Sequence, residues 1–290
     1  MTQTPSSPAT LEGLSGPADL GRFFSAFPLI VLVANSDAVD LDTIPGAGED
    51  GVLHVFFNKV YKVLDAPFER RSILVARSSP AGANIVYRRE VGEVTRLLEG
   101  PRFHGVLNIA AGEREVFSPA EAFGGRAVAH LNLTADLSGF YPSTHVPTSG
   151  FALALHLLQV APNAKIVLAG FTARRSAEWK LFQDHDWTFE QIVLRLLHRS
   201  GKLTLIQSPG GVADGPLEAI AKRFPDLGPA AIATVAAEVL SERLDNANGA
   251  IDALIKTTRL ERGLANLYAR LRPASRKARL ANAPAKPPSA

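Results

Sequence analysis

Two short runs hold most of the residues in this chain that could do chemistry. The first is Val146-Pro147-Thr148-Ser149-Gly150, followed by the apolar Phe151-Ala152-Leu153-Ala154-Leu155. A Thr or Ser ahead of a helix accepts a hydrogen bond from a first-turn N–H. A helix start fixed in this way offers its remaining N–H groups and its partial positive charge to a phosphate. The second run is Asp184-His185-Asp186-Trp187-Thr188-Phe189-Glu190. An imidazole that is neutral near pH 7 can take the proton of a hydroxyl nucleophile. Glu190 lies just past a helix start expected near Thr188, where it could bind a hydroxyl of an acceptor or a nucleotide. Phosphate donors beside a hydroxyl base are what transfer from a nucleotide-activated sugar requires. Each run also has a plainer reading: Thr148 as the cap of a buried helix, and His185 as a loop residue beside a helix capped by Asp186 or Thr188.

The remaining signals are mostly negative. His156 falls inside the apolar helix, where a packed core residue is expected, and His198 falls on an exposed helix end. There is no His-x-x-x-His and no cysteine, and Asp40-Leu41-Asp42 runs into Ile44-Pro45-Gly46, a surface turn; no metal site is expected. Gly-x-Ser-x-Gly and Walker-type signatures are absent, against the common hydrolase and NTPase classes.

The elements that must position these residues follow from apolar patterning. Strands are expected at Pro28–Ala34, Val52–Phe57, Ser72–Ala76, Gly105–Ile109, Lys165–Ala169 and Lys202–Ile206, and helices at Pro17–Phe27, Arg88–Leu98, Phe151–Val160 and Phe189–Ser200. Strands alternating with helices predict an α/β fold with a doubly wound, mainly parallel sheet. Ligands bind such sheets beyond the carboxyl ends of the strands. Three strands here empty into Asn35-Ser36, Asn58-Lys59 and Arg77-Ser78-Ser79, polar and cationic ends that suit an anion. The cluster Ser208-Pro209-Gly210-Gly211 then breaks the pattern, and helices are expected over Ala230–Leu244 and Ile251–Leu271. The organisation expected is a flexible leader at 1–15, an α/β nucleotide-sugar-binding catalytic domain at 16–207, a helical hairpin at 208–272 and a disordered basic tail at 273–290.

With 290 residues, 46% of them hydrophobic, the chain can bury a real core. The absence of cysteine excludes disulfides, thiolate nucleophiles and Cys-ligated zinc. Met1–Thr10 lacks a charged segment leading into an apolar one, so no signal peptide is expected, and Phe23–Ala34 is too short to span a bilayer. A cytoplasmic, bacterial-style protein is expected. The net charge is +3, with basic residues clustered at Arg259, Arg262, Arg270, Arg272, Arg276, Lys277 and Arg279. Such an end suits peripheral contact with an anionic membrane, or is an ordinary solvated helix face and tail.

On these residues the chain resembles the sialyltransferase family of glycosyltransferases (family 29 in the carbohydrate-enzyme classification), including its bacterial and Kdo-transferring relatives. Val33-Ala34-Asn35-Ser36 and Phe56-Phe57-Asn58 are similar to the two parts of the family's long motif. Pro147-Thr148-Ser149-Gly150 through Ala169-Gly170-Phe171 is similar to its short motif, and His185 to Glu190 to its His-x4-Glu. The resemblance covers about residues 28–200. It implies a Rossmann-like, variant GT-A sheet domain and a metal-independent, inverting transfer from a CMP-sugar donor to a glycan or glycolipid hydroxyl. No cofactor and no nucleic-acid partner are implied. Asn35, Ser36 and Asn58 would then contact the cytidine phosphate or ribose, and Thr148, Ser149 and Gly150 would hold the CMP or donor carboxylate. His185 would be the base, or would stabilise the departing phosphate, and Glu190 would support the geometry of the site. The chain departs from the family in lacking cysteine and in carrying Phe57 where the animal enzymes have Arg. Two other classes remain open: an inert nucleotide-sugar-binding accessory protein, and a nucleic-acid or membrane-surface binder acting through the basic end.

Overall fold

A computed structural model describes residues 10–206 apart from 15, 37–38, 42–43, 45–49, 79–83 and 173–183, and beyond them 220, 223–224, 226, 228–241, 244, 251 and 258. The chain divides into two compact units, Met1–Gly211 and Val212–Ala290.

The first unit is built on a seven-stranded sheet. Its strands are β1 (Leu29–Val33), β2 (Val52–Phe57), β3 (Ser72–Arg77), β4 (Phe103–Ala110), β5 (Val128–Asn132), β6 (Lys165–Ala169) and β7 (Thr204–Ile206). Their order is β5-β4-β3-β2-β1-β6-β7, and every pairing is parallel. The helices are α1 (Pro17–Ser25), α2 (Val91–Thr95), α3 (Thr134–Leu137), α4 (Ser149–Val160) and α5 (Trp187–Arg199). The chain steps outward from β1 to β5, then returns through α4 to lay β6 against the other side of β1. This is a doubly wound sheet, and it bears out the α/β expectation.

Both faces of the sheet are covered, which is why its strands read as unbroken apolar runs and not as alternation. All of β2 and β3 is buried. In β1, Ile30 and Leu32 join the core that α1 and α4 close, while Val31 and Val33 join the opposite core with Val60, Leu64 and Val94. Phe151, Leu153 and Leu157 of α4 are fully buried, each contributing roughly 1.5–3 kcal/mol of transfer free energy.

Several expectations are corrected. The helix expected over 88–98 shrinks to Val91–Thr95, because Asn84 Oδ1 draws in the N–H groups of Val86 and Tyr87 and Arg89 adopts a left-handed φ of 60°. Strand β5 and the single-turn α3 were not anticipated. Val128-Ala129-His130-Leu131-Asn132 is a short edge strand whose apolar content is too small to stand out. Gly46-Ala47-Gly48-Glu49-Asp50-Gly51 spells the Gly-x-Gly-x-x-Gly of dinucleotide-binding folds, but the element that follows it is the strand β2 and not the helix which that motif opens, and residues 45–49 lie outside the described residues. In the second unit residues 229–241 are helical. The breaker cluster at 208–211, the tail at 273–290, Asp42 and, apart from Ile251 and Thr258, the helix expected over 251–271 lie outside the described residues, as do 1–9 and 15 of the leader.

One glycine fixes how α4 begins. A Cβ on Gly150 would stand 2.3 Å from Cε1 and 2.7 Å from Cζ of Phe171, whose ring packs edge-on to Phe57. The Gly in one motif and the Gly-Phe ending the next strand are therefore two halves of one contact. Gly150→Ala is expected to lower stability by about 1–3 kcal/mol in urea unfolding, with part of the loss returned by Phe171→Leu. An unchanged midpoint for the single variant would show that the ring gives way freely.

Candidate functional site

A cavity of about 790 Å³ opens beyond the carboxyl ends of β2, β3 and β4, walled by Asn58, Arg77, Glu115, Tyr141, Ser149 and His185 among others. Its walls come from the loops after β2, β3 and β4 and from residues 137–149 and 184–185, which precede α4 and α5.

His185 is fixed by its backbone neighbours. Its Nδ1 lies 2.6 Å from the Val146 carbonyl, and the Val146 N–H donates to the Asp184 carbonyl at 2.8 Å. A carbonyl only accepts, so Nδ1 carries the proton and Nε2 is left as an acceptor in the neutral ring. Burial, above all, holds this imidazole below the ordinary value of 6.5, and the Arg77 guanidinium lowers it further; the Val146 carbonyl, Asp184 and Glu115 act in the opposite direction. The ring of Trp187 meets it edge-on at 5.4 Å. His145 also lines the cavity, with Nδ1 2.8 Å from the Thr144 hydroxyl.

Glu190 faces inward. Only 3% exposed, it accepts the Thr148 N–H at 2.7 Å, the Thr148 hydroxyl at 2.7 Å and the Tyr141 hydroxyl at 2.9 Å. Burial raises its carboxyl above the usual range, while the Thr148 and Tyr141 donors and Arg77 pull it back. The Tyr141 phenol is held protonated, first by burial and then by the Glu190 charge, and its oxygen accepts the Asp186 N–H at 3.0 Å. Glu190 thus ties the start of α5 to the start of α4. The hydroxyl contact expected of it is already occupied by protein, and what remains is support of the site's geometry.

The other expected residues separate into those at the cavity and those behind it. Thr148 caps α4, its hydroxyl accepting the Phe151 N–H at 3.2 Å, and Asp186 caps α5 through the Phe189 N–H at 2.9 Å. Ser149 and Asn58 line the cavity; Thr148, Gly150, Asn35 and Ser36 do not. Asn35 donates to the Phe57 carbonyl at 2.8 Å, and Asn58 Oδ1 accepts the Arg77 N–H at 3.1 Å, so each pegs the end of its own strand to the next. Asn58 does this with φ 40°, a left-handed conformation that Asn tolerates.

Sequence reasoning missed Arg77, Glu115 and Tyr141 as organising residues. Arg77 Nη2 bonds Glu115 at 2.6 Å and its Nε contacts both carboxylate oxygens at 2.8 Å, while Nη1 reaches the Pro147 carbonyl at 2.9 Å and the Ser149 hydroxyl at 3.3 Å. Glu115 also takes the Ala111 N–H at 2.8 Å. Lys59 pairs with Glu90 at 3.3 Å. Both strand-end cations are therefore internally paired, which corrects the expectation that they stand ready for an anion. The available signal was an Arg ending an apolar strand, with nothing to indicate its partner. Among the described residues no three His, Asp or Glu side chains cluster as metal ligands would.

Fold and cavity define a doubly wound, parallel α/β domain whose cleft lies at the carboxyl edge of the sheet. Neither protein-family models nor the sequences of curated proteins give a match to the chain. Among solved structures, a mammalian sialyltransferase in complex with Gal-beta-1-3GalNAc-ortho-nitrophenol is similar with a TM-score of 0.38 and 12% identity, over 68% of this chain and 75% of that one.

Because three hydrogen bonds converge on one buried carboxylate, Glu190→Ala is expected to lower stability by about 2–4 kcal/mol. Glu190→Gln, which keeps one oxygen and the shape, should lose much less. Wild-type stability in the alanine variant, measured by denaturant unfolding, would remove this role.

Proposed function

We infer that this chain is a glycosyltransferase that moves a sugar of the sialic acid or Kdo type from a CMP-activated donor to a hydroxyl of a glycan or glycolipid, by an inverting, metal-independent displacement with His185 as general base. The observation that carries this reading is the His185–Val146 hydrogen bond. It leaves Nε2 as a proton acceptor on a residue that lines the same cavity as Ser149, the first residue of α4.

In this mechanism Nε2 takes the proton of the acceptor hydroxyl as that oxygen bonds to the anomeric carbon. The bond from that carbon to the phosphate oxygen breaks on the opposite side, and CMP leaves with the electron pair. First-turn N–H groups of a helix have no partner within the helix, and Thr148 takes only that of Phe151. That of Ser149, with the Ser149 hydroxyl, receives the phosphate charge, and Gly150, packed on Phe171 behind the cavity, keeps the turn in place. Asn58 reaches the nucleotide from the β2 end, with Asn35 and Ser36 behind it, and Glu190 holds Thr148 and hence the start of α4. A glycolipid acceptor would be met at an anionic membrane face, and the basic residues between 259 and 279 carry the charge that suits one.

The first test is which nucleotide raises the melting temperature, since binding to the folded state stabilises it. CMP is expected to do so and UDP and GDP are not; no shift with CMP, together with salt-sensitive DNA binding, would replace this reading with that of a basic-end binder. His185→Ala should keep CMP binding and lower turnover by roughly 10²–10⁴-fold. Wild-type turnover there, with a loss in His145→Ala, would move the role to His145.

The sign of the pH dependence is fixed by the same geometry. A base held below 6.5 stays neutral as pH falls toward that value, so the acid limb of kcat/KM is expected below 6.5. A limb above it would exclude His185. Ser149→Ala should weaken CMP binding by about 1–2 kcal/mol, while Thr148→Ala should chiefly reduce stability. Calorimetry and unfolding on both variants separate the two effects.

A further inference from the structure

We propose that a second cleft, at the amino ends of β6 and β7 and so on the opposite edge of the sheet from the candidate site, binds an amphiphilic anion: an apolar chain or ring system carrying a carboxylate or phosphate. This goes beyond the transferase reading and does not rest on it. The cleft holds about 880 Å³ and is walled by the second half of α4, the segment from α5 into β7, the start of β6 and residues 136–140. Leu155, Leu158, Leu197, Leu203 and Phe140 give the cleft an apolar part beside its polar residues. Phe140, whose ring meets that of Phe189 edge-on at 5.3 Å, remains 48% exposed.

Two features select an anion with an apolar body. Lys165, the first residue of β6, and Lys202, two residues before β7, both line the cleft and are exposed, and among the described residues neither forms an ion pair. Two unpaired ammonium groups beside an apolar wall are complementary to a single negative head group. The second feature is His156. It is 4% exposed and belongs to the wall of the cleft, yet neither ring nitrogen completes a hydrogen bond. Its Nδ1 stands 3.4 Å from Asp136 Oδ2, and that carboxylate is 44% exposed. Asp136 satisfies Nδ1 only at this long distance and Nε2 has no hydrogen-bond partner, whereas buried polar groups in folded proteins are normally satisfied. Both nitrogens are closed off from the cleft, so a ligand oxygen completes the ring only where the wall shifts to seat it. Asp136, the one acid of the wall, lies on the α3 side and directs the head group toward the strand ends, where the lysines stand.

The test is calorimetry on the full chain with three probes: dodecyl phosphate below its micelle-forming concentration, dodecyl maltoside and inorganic phosphate. Dodecyl phosphate is expected to bind at one site at least about 10-fold tighter than either of the others. Lys165→Glu/Lys202→Glu should weaken it by about 10-fold or more with no change in melting temperature or CMP binding, and Leu158→Trp, which fills the cleft, should weaken it as well. Sedimentation with phosphatidylglycerol vesicles distinguishes the sources: co-sedimentation lost in the double lysine variant assigns the amphiphile to a bilayer, and binding of dodecyl phosphate without co-sedimentation assigns it to solution. Equal affinity for all three probes, or unchanged affinity in the double variant, overturns the proposal. Because His185→Ala leaves this cleft intact, loss of turnover there with dodecyl phosphate binding retained keeps the two sites separately testable.

Discussion

The site depends on one buried carboxylate having enough donors. Glu190 lies in the first turn of α5 and has almost no contact with solvent, a position that disfavours its charge. What makes the position tolerable is convergence: two hydroxyls and a backbone N–H reach it from Tyr141 and Thr148. Those donors belong to the segment leading into α4, so satisfying Glu190 sets the distance between the starts of two helices. Between those starts lie the paired backbone groups of Val146 and Asp184 and the Val146 carbonyl that orients His185. The imidazole is thus positioned by an anion that it does not touch. In a low-dielectric interior such a network is strong when complete and poor when one member is missing.

The opposite wall is organised by a second buried pair, with a different consequence. Arg77 and Glu115 are each about 10% exposed at their side chains, and together they carry no net charge. Their value is geometric, because five donors in a rigid fork can hold Glu115, the Pro147 carbonyl and the Ser149 hydroxyl at once. A buried pair of this kind contributes little net stability, although removing one partner is costly. On the proposed reading, attraction for the donor phosphate would therefore fall to the start of α4, where Thr148 has engaged only one of the first-turn N–H groups. Arg77 sets where that helix start sits.

What was legible in the sequence, and what was not, divides along physical lines. The six expected strands all form, because burial on both faces leaves a continuous apolar run that few other structures produce. Helix α4 was legible for the same reason, and its cap because Thr has a local partner in Phe151 N–H. Strand β5 escaped because an edge strand needs less apolar content. The polar residues were harder. Their types marked the neighbourhood correctly, but direction is decided by packing that comes from distant parts of the chain. Glu190 turns to Thr148, 42 positions earlier. Asn35 turns to the carbonyl of Phe57 and away from the cavity, and Arg77 turns to a glutamate 38 positions later. Tyr141 had no local signal at all, since its role exists only once α5 is in place.

The two hydroxyls of the Thr148-Ser149 turn are not equivalent, and counting their lone pairs and protons shows why. A hydroxyl has one proton to donate and two lone pairs to accept with. Thr148 gives its proton to Glu190 Oε2 and accepts the Phe151 N–H, leaving a single acceptor site. A phosphate or carboxylate group has no use for an acceptor, so Thr148 cannot hold one while Glu190 is in place. Ser149 is arranged the other way round. It accepts from Arg77 Nη1 at 3.3 Å, a contact that occupies a lone pair and leaves its proton free, and its residue lines the cavity. On the proposed reading, the guanidinium that Glu115 has neutralised would still serve the donor phosphate, by orienting the one hydroxyl in the turn that can donate to it.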